Sequence, residues 1–219
     1  MSGKGTFITF EGIEGCGKSS QARMALDLLK KRGVDAVLTR EPGGTIVGDA
    51  LREMLLSREN GALAPMTELL LYMACRAQHV HEIVRPALEA GKTVLCDRFS
   101  DSTLAYQGYG RGLPRKFIAE VNLKAADGLV PDLTILLDCD PAVGLGRVRT
   151  RYLGVEGGRV DRLEAEELSF HDRIRQGFLE IGRSKPSRFA IIDASGPEAE
   201  IAAEVSRVLL RRLGLEAGD

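Results

Sequence analysis

The sequence lacks the features that mark several large protein classes. None of its apolar runs approaches the roughly 18–20 residues that a membrane-spanning helix needs. The formal net charge is −1, so no basic excess points to nucleic acid or an anionic membrane as a partner. The four cysteines lie far apart without a C-x-x-C pair, which favours reduced thiols in the cytoplasm over a disulfide framework or zinc site. They are Cys16, Cys75, Cys96 and Cys139. We therefore expect a cytoplasmic protein without nucleic-acid or membrane partners.

Two further absences, of a guanine-reading motif and of a nucleophile–histidine arrangement, narrow the possible activities. The guanine-reading motif N-K-x-D does not occur, and the D-x-x-G match at 193–196 lies on the last strand-like run, which argues against a GTPase. No Ser-His-Asp or Cys-His arrangement can be assembled from the motifs. His79 and His81 are two residues apart in a predicted helix, so they do not share a face. We interpret them as packing or surface histidines rather than as ligands.

Strand-like apolar runs alternate with helix-like segments along the 219 residues. The runs lie at 6–10, 36–39, 93–97, 133–138 and 189–193. Several are continuously apolar, as is typical of parallel strands that helices cover on both faces. We predict one α/β domain over 1–219, with a five-stranded parallel sheet, helices on both faces and ligands at the carboxyl ends of the strands. A last helix is predicted over 197–213.

Residues 12–19 read G-I-E-G-C-G-K-S and fit G-x-x-x-x-G-K-[ST], the phosphate-cradling P-loop. A predicted strand precedes the motif and a predicted helix follows it, which is the context that the motif requires. The glycines let backbone N–H groups converge on an anion, Lys18 adds a charge for the β- and γ-phosphates, and the Ser19 hydroxyl suits Mg²⁺. The sequence therefore predicts a nucleoside triphosphate site in a three-layer P-loop NTPase fold. The candidate residues of this site, which the family resemblance given below assigns to ATP binding, are Gly12, Ile13, Glu14, Gly15, Cys16, Gly17, Lys18, Ser19 and Ser20.

Three further motifs separate the kinds of P-loop protein. They are T-R-E-P-G-G-T at 39–45, L-Y-M-A-C-R at 71–76 and D-R-F-S-D-S-T-L-A-Y-Q-G at 97–108. An arginine-dense stretch follows at 147–162. In this order and spacing, from the first strand into the last helix, the chain closely resembles the bacterial type of the thymidylate kinase family. The resemblance implies transfer of the γ-phosphoryl group of ATP to dTMP, with Mg²⁺, in dTTP biosynthesis.

The residue types suit such a reaction independently of the resemblance. The acceptor oxygen belongs to a phosphate that is largely dianionic at pH 7, since its second pKa is about 6, so no general base is needed. Catalysis then consists of positioning the two nucleotides and cancelling charge. Lys18, Mg²⁺ and the abundant arginines are the groups that can do so.

By resemblance, the acceptor sugar and phosphate meet a small set of polar residues. Glu14 faces the deoxyribose 3′-hydroxyl, and Tyr106 lies against the sugar where a ribose 2′-hydroxyl would collide. Arg98 matches the arginine that grips the acceptor phosphate, and Asp97 takes the position near Mg²⁺ together with Ser19. The alternatives are a solvated loop glutamate at 14 and a structural ion pair of Asp97 with Arg98.

The thymine base is expected to contact a helix and the segment after the third strand. Tyr72 and Arg76 are four residues apart and share one helix face. By resemblance, Tyr72 stacks on thymine, where the family more often has Phe, and Arg76 donates to a base carbonyl. Considered alone, Tyr72 is more simply explained by core packing, because its helix is apolar nearly all round. The other residues of the dTMP-binding prediction are Pro42, Arg52, Ser102, Thr103 and Gln107.

The arginine-dense stretch defines a predicted lid at about 147–164 that closes over the phosphates. Its arginines are Arg147, Arg149, Arg151, Arg159 and Arg162. Because the P-loop contains no arginine, the resemblance points to a catalytic arginine in the lid, in addition to Lys18 and Arg98. The candidates are Arg147, Arg151, Arg159 and Arg162; the sequence does not choose among them, and a solvated basic face is the alternative.

The nearly all-apolar predicted helix at 63–75 can face the core on one side and a second subunit on the other, and the resemblance favours a homodimer. Two other functions stay open at this stage. One is a P-loop kinase for another nucleoside monophosphate or for a deoxynucleoside, against which the predicted base-reading residues argue. The other is a non-enzymatic P-loop switch, against which the intact P-loop and lid argue.

Overall fold

The computed structural model describes residues 5–153 and 160–215. Within those residues five strands form one sheet in which every neighbouring pair is parallel. The strands are β1 (Phe7–Glu11), β2 (Ala36–Arg40), β3 (Thr93–Asp97), β4 (Leu133–Asp138) and β5 (Phe189–Asp193). Their spatial order is β2-β3-β1-β4-β5. The predicted strands and the parallel sheet are confirmed.

Both faces of the sheet carry a hydrophobic core, as the continuously apolar strands indicate. Successive side chains of a strand point to opposite faces. Ile8 and Leu95 belong to one buried cluster, while Phe7, Val94 and Cys96 belong to another. All five of these residues have no exposed surface. Burial on both faces requires apolar residues at consecutive positions, which accounts for the absence of strict alternation in these strands.

Helices connect the strands and supply the two outer layers. They are α1 (Lys18–Lys31), α2 (Ile46–Leu56), α3 (Pro65–His79), α4 (Arg85–Glu89), α5 (Ser100–Thr103), α6 (Arg115–Ala125), α7 (Pro141–Tyr152), α8 (Leu168–Ser184) and α9 (Glu198–Leu213). The helix predicted at 63–75 begins later, at Pro65, because a proline is well accommodated in the first turn. The helix predicted at 197–213 matches α9. Within the described part of the chain, no helix is long and apolar enough to cross a membrane.

Two helical segments depart from regular α geometry. α3 passes through a wider π-helical turn, Val80–Val84, into α4, and α5 continues as a second π-helical segment, Leu104–Gly110. A short 3₁₀ turn, Arg58–Asn60, follows α2. π-Helical turns are rare and concentrate at functional sites. The π-helical segment Leu104–Gly110 carries Tyr106 and Gln107, two residues that the sequence analysis assigns to the acceptor site.

The strand order places a natural binding crevice beside β1. This strand pairs with β3 on one side and with β4 on the other, so the chain crosses over in opposite directions from the centre of the sheet. In parallel α/β sheets, ligands bind at the carboxyl ends of the strands at such a switch point. The P-loop leaves the carboxyl end of β1 at this place, and Arg98 leaves β3 next to it.

Candidate active site

A cleft of about 480 Å³ runs along the carboxyl ends of the central strands. Its walls come from the P-loop, the β2–α2 loop, α3, the segment after β3, and the part of the chain around α7 and residues 161–164. Every residue of the dTMP-binding prediction lines it: Glu14, Pro42, Arg52, Tyr72, Arg76, Arg98, Ser102, Thr103, Tyr106 and Gln107. The cleft thus brings together residues that are distant in sequence. Their roles toward a nucleotide remain predictions.

The P-loop glycines are required by close backbone approaches. A Cβ on Gly12 would lie 2.4 Å from the Leu137 carbonyl oxygen, and one on Gly15 would lie 2.0 Å from that of Gly144. Both glycines also have positive φ angles, 140° and 69°. A larger residue would therefore push the loop away from β4 and α7 and would be strained as well. The loop is held against the sheet by contacts that only glycine permits.

Lys18 lies at the base of the cleft with its amine folded back into the P-loop. Its Nζ donates to the Ile13 carbonyl at 2.5 Å and to Cys16 Sγ at 3.4 Å. Of the nine predicted ATP-binding residues, those that line the cleft are Glu14, Gly15, Gly17, Lys18, Ser19 and Ser20. The side chains of Ile13 and Cys16 are buried in the core instead.

Ser19 and Asp97 are in direct contact across the cleft floor. The Ser19 hydroxyl donates a hydrogen bond to Asp97 Oδ2. A hydroxyl and a carboxylate are oxygen donors of the kind that Mg²⁺ prefers, and few protein ligands are needed because Mg²⁺ keeps several waters. Among the residues that the structure describes, no group of three or more His, Cys, Asp and Glu side chains is placed to hold a metal ion.

Arg98 occupies the middle of the cleft in a constrained conformation. Its φ angle of 71° lies in the left-handed region, which is unusual for a residue with a side chain. Its guanidinium donates to the Gly12 carbonyl at 2.8 Å and to Ser102 Oγ at 3.1 Å. It also pairs with Glu14 Oε1 at 3.1 Å. These contacts hold the guanidinium against the P-loop and against the segment after β3.

A buried carboxylate that the sequence analysis did not identify supports this conformation. Glu11, the last residue of β1, has no exposed surface. Its Oε1 accepts from the Phe99 backbone N–H at 2.8 Å, and its Oε2 accepts from Ser102 Oγ at 2.5 Å. Glu11 therefore fixes the turn that contains Arg98. The sequence offered no signal for this, because an acidic residue at a strand end is ordinary.

Glu14 is a P-loop carboxylate whose two oxygens contact residues from distant parts of the chain. The Tyr106 hydroxyl donates to Glu14 Oε1, and His171 Nδ1 lies 3.1 Å from Oε2. Burial alone would raise the pKa of Glu14, yet the His171 hydrogen bond and the Arg98 charge hold that pKa far below its ordinary value. Glu14 is therefore an anion at neutral pH. His171 was not among the predicted site residues, because nothing in its sequence context links it to the P-loop.

Arg76 forms the wall at the other end of the cleft. It is 1% exposed, pairs with Glu41 Oε2 at 2.8 Å and donates to Thr103 Oγ1 at 3.0 Å. Glu41 in turn contacts His79 Nδ1 at 2.9 Å. The interpretation of His79 as a packing histidine agrees with this buried contact. Glu41 is a second supporting carboxylate that the sequence analysis did not identify, although it lies in the T-R-E-P-G-G-T motif.

Tyr72 and Gln107 flank the same region. Burial raises the pKa of Tyr72, so its hydroxyl stays protonated. Gln107 Nε2 donates to Glu68 Oε1 at 2.8 Å, which leaves its carbonyl oxygen available. Arg52 donates to the Pro42 carbonyl at 2.9 Å. Two further cationic residues line the cleft that the sequence analysis did not select, Arg23 and Arg40.

The four candidate lid arginines divide into different environments. Arg147 lines the cleft and donates to the Ala194 carbonyl at 3.0 Å, while Arg151 lines the cleft, pairs with Glu164 at 3.0 Å and is 62% exposed. Arg162 does not line it; it is 9% exposed, contacts buried Glu68 at 2.5 Å and donates to the Leu55 carbonyl at 2.9 Å. Arg159 lies outside the described residues.

Comparisons with known proteins show which family the chain resembles. A family model described as thymidylate kinase matches residues 10–205. A thymidylate kinase of Geobacter sulfurreducens is 52% identical over 209 residues, which cover 95% of this chain and 98% of that protein. One of Trichlorobacter lovleyi is 51% identical over 209 residues, with 95% and 99% covered.

A solved structure extends the match to the fold. The crystal structure of thymidylate kinase from Ehrlichia chaffeensis superimposes with a TM-score of 0.73 at 34% sequence identity, covering 94% of this chain and 99% of that one. The P-loop NTPase fold predicted from the sequence is thereby confirmed. Both the family model and the relatives extend over nearly the whole chain, from the P-loop to the last helix, and this chain belongs to the thymidylate kinase family.

Proposed function

We propose that this protein transfers the γ-phosphoryl group of ATP to dTMP, giving dTDP for dTTP biosynthesis. The observation that carries the proposal is one cleft lined by the anion-binding P-loop, by buried Arg76 with its polar neighbours, and by Arg98, which contacts the P-loop at Gly12. Two phosphorylated nucleotides, one at the P-loop and one beside Arg76, would meet at Arg98. The relatives named above are thymidylate kinases, which supports the choice of acceptor.

The donor side rests on the P-loop. Its backbone N–H groups and Lys18 would hold the β- and γ-phosphates of ATP. Lys18 is within reach of this task, because its present partners are a carbonyl oxygen and a thiol rather than a carboxylate. The amine can therefore turn to an anionic phosphate without breaking an ion pair.

The acceptor side rests on Arg98, Glu14 and Tyr106. Arg98 would hold the acceptor phosphate in line with the γ-phosphate, and a phosphate dianion needs no base to attack. Glu14 would accept a hydrogen bond from the 3′-hydroxyl. The Tyr106 ring, 4% exposed and tied to Glu14 through its hydroxyl, would close the space that a 2′-hydroxyl needs.

The base pocket is proposed from the residues around Arg76. Arg76 would donate to a thymine carbonyl, and Tyr72 would stack on the ring. Ser102, Thr103 and Gln107 supply polar groups at the base edge, and the backbone and side chains of Pro42 and Arg52 complete the wall. The ion pair with Glu41 keeps Arg76 in place before any nucleotide enters.

The oxygen groups of Ser19 and Asp97 fit Mg²⁺, which we propose as the metal cofactor. When bound, Mg²⁺ would neutralise phosphate charge and orient the triphosphate. The fit rests on the contact of the two side chains at the P-loop and on their hard oxygen donors.

We also propose that the whole chain acts as one kinase domain with a lid at about 147–164. The positions of Arg147 and Arg151 support this proposal, because both side chains line the cleft that also contains the P-loop. Arg162 contacts Glu68 on α3 and donates to the Leu55 carbonyl on α2. We therefore propose that it anchors the lid rather than contacting phosphate. Arg159 stays a candidate from the sequence.

The proposal also covers the oligomeric state of the protein and its location in the cell. We propose a homodimer, which exposed apolar side chains on neighbouring helices support, among them Val47 and Met54 on α2 and Met66 and Leu70 on α3. We propose a cytoplasmic location, which four buried free thiols support.

The proposed reaction is tested by coupled ADP release with Mg-ATP and a panel of acceptors. The panel is dTMP, dUMP, UMP, CMP, AMP and GMP, with thymidine added to detect a deoxynucleoside kinase. We expect dTMP to have the highest kcat/KM, with dUMP next. Preference for another acceptor would replace the proposed substrate, and no acceptor-dependent ADP release would contradict the kinase activity itself.

A further inference from the structure

His171 is a buried side chain of α8 that contacts the P-loop from far away in the sequence. It has no exposed surface, and its Nδ1 lies 3.1 Å from Glu14 Oε2, although 157 residues separate the two. Its ring meets the Phe170 ring edge-on, with centroids 5.6 Å apart. The imidazole is thus fixed by packing, with one nitrogen facing the carboxylate.

The two ring nitrogens of His171 differ in a way that identifies the donor. Glu14 is ionised, so it can only accept, and Nδ1 must carry the proton of this hydrogen bond. Nε2 is buried and has no hydrogen-bond partner among the described residues. A proton on Nε2 would leave an unpaired buried N–H, so the ring is best accommodated with its proton on Nδ1 alone.

The groups around Glu14 divide unequally between its two oxygens. Oε1 accepts from the Tyr106 hydroxyl and from Arg98. Within the described residues, Oε2 has His171 as its hydrogen-bond partner. Lys18 and Asp161 also act on the carboxylate electrostatically, the first attracting it and the second repelling it. Without His171, the carboxyl group is held at one oxygen and can rotate about that contact toward Lys18.

We propose that His171 is a positioning residue that fixes the Glu14 carboxylate toward the acceptor sugar and away from the ATP phosphates. The proposal rests on the acceptor site described under the proposed function. A carboxylate inside a P-loop would repel a triphosphate, and a donor on each oxygen keeps it turned to the acceptor side. Three of the four acceptor positions of Glu14 are then occupied, and the remaining one, on Oε2, is available to the 3′-hydroxyl.

The test compares two variants of similar size and shape. His171→Asn can place a side-chain N–H near the position of Nδ1, whereas His171→Leu has the same branching and no donor. Each is assayed with dTMP and with 3′-deoxythymidine monophosphate, which lacks the hydroxyl that Glu14 would bind. The ratio of the two kcat/KM values isolates the contact with the sugar from any general loss of structure.

We expect the preference for dTMP over its 3′-deoxy analogue to fall on the order of tenfold in His171→Leu, as suits a lost charge-assisted hydrogen bond. His171→Asn should keep the preference within about threefold of the parent. The KM for ATP should rise in His171→Leu, because the freed Glu14 carboxylate can approach the triphosphate, and it should change little in His171→Asn. Equal losses on both substrates in His171→Leu, or the same ratio in Asn and Leu variants, would overturn the proposal.

A second measurement separates failure of this proposal from failure of the proposed function. ¹⁵N NMR of histidine-labelled protein without nucleotide reports which ring nitrogen carries the proton, and the His171→Asn spectrum identifies the signal. We expect the Nδ1–H tautomer at pH 7.5. A proton on Nε2 alone would overturn the positioning role whatever the substrate is. A parent protein inactive on dTMP would instead overturn the proposed function and, with it, the role toward the sugar.

Discussion

At the scale of single residues, the surroundings of two buried carboxylates shift their pKa values in opposite directions: upward for Glu11 and downward for Glu14. Burial, followed by the charge of Asp101, raises the pKa of Glu11 to about 7. Burial acts on Glu14 in the same sense, but the hydrogen bond from His171 and the charge of Arg98 reverse the result and lower its pKa. Arg98 lowers the pKa of both carboxylates, but Glu11 accepts its hydrogen bonds from neutral groups and also faces Asp101. Glu14 is in direct contact with Arg98, accepts from His171 and is attracted by Lys18 as well.

The raised pKa of Glu11 predicts a pH dependence of stability. The ordinary value is 4.5 and the folded value about 7, so the folded state binds more protons between these pH values. The free energy of unfolding must then decrease as pH rises through this window, by on the order of 2 kcal/mol from Glu11 alone. Urea unfolding of the parent and of Glu11→Gln at pH 5 and pH 8 measures this. We expect a smaller loss in the variant; equal losses would show that Glu11 is ionised throughout.

Lys18 provides a direct test of the donor site. Its partners in the structure are the Ile13 carbonyl and Cys16 Sγ, so Lys18→Ala removes no ion pair and should leave a folded protein. A pre-oriented charge on the transferred phosphoryl group is worth several kcal/mol, so turnover should fall at least ~100-fold. ADP release gives the rate, thermal unfolding confirms folding, and Lys30→Ala at an exposed position of α1 is the control. Near-normal turnover in folded Lys18→Ala would rule out the assignment.

The tight packing of the Tyr106 ring predicts that the enzyme discriminates against ribonucleotides. This ring is 4% exposed and packs edge-on against Phe170 and Phe178, so it cannot move aside for a 2′-hydroxyl. We expect UMP to be at least ~100-fold poorer than dUMP in kcat/KM, whereas the thymine methyl contributes only about 1–3 kcal/mol between dTMP and dUMP. Tyr106→Phe keeps the ring and should keep the discrimination. Equal use of UMP and dUMP would refute the steric role of Tyr106.

At the scale of elements, the proposed lid combines arginines in two different environments. Arg147 and Arg151 face the cleft, while Arg162 is 9% exposed and contacts Glu68, which has no exposed surface. Arg111 also pairs with Glu68 at 3.2 Å. These contacts link Arg162, near the end of the proposed lid, to α3. In our proposal they hold the base of the lid in place while the cleft-facing arginines act on substrate.

Single alanine substitutions separate the two roles. Arginines that act mainly in the transition state lower turnover more than ATP affinity, so we expect at least one of Arg147, Arg151 and Arg159 to lose turnover by ~100-fold or more. Arg162→Ala should instead lower the free energy of unfolding by about 2 kcal/mol, the scale of one hydrogen bond to a charged group, because Glu68 loses Arg162 but keeps Arg111. Turnover, ATP affinity and urea unfolding are measured for each variant. Turnover within a few-fold of the parent in all of them would mean that the lid is a solvated basic face.

The sequence predicted regular elements well and irregular ones not at all. β3 and β4 are continuous apolar runs bounded by Gly91 and Pro131, and such runs predict buried strands from local information. The π-helical turn at Leu104–Gly110 has no such signal, because it differs from an α-helix by the path of the backbone and not by composition. Its contacts with α8 are tertiary.

The site shows the same division between local and distant information. Most residues that line the cleft could be selected from the sequence because they occur in contiguous motifs with fixed spacing. Glu11, Glu41 and His171 could not, since each acts through a hydrogen bond to a residue brought close only by the fold. Motifs identify the groups that face a ligand better than the buried groups that hold them.

At the scale of the whole molecule, one outer layer carries apolar side chains that the described fold leaves exposed. α3 packs between α2 and α6. Val47 and Met54 on α2, Leu70 on α3 and Leu123 on α6 are between 48% and 54% exposed. Apolar side chains on neighbouring helices form a surface that association would bury favourably. The cleft opens at the carboxyl ends of the strands, so this layer is available to a second copy of the chain without blocking nucleotides.

The proposed homodimer is tested by placing a charge on this layer. Leu70→Asp puts a carboxylate in the middle of α3, and Met24→Asp does the same on α1, where Met24 is 41% exposed. Burying an unpaired carboxylate costs several kcal/mol, and each 1.4 kcal/mol is about tenfold in Kd, so Leu70→Asp should weaken association by about 100-fold or more. Sedimentation velocity at several protein concentrations gives the oligomeric state. We expect a dimer for the parent and for Met24→Asp and a monomer for Leu70→Asp, while a monomeric parent, or a dimer unaffected by Leu70→Asp, would contradict association through this layer.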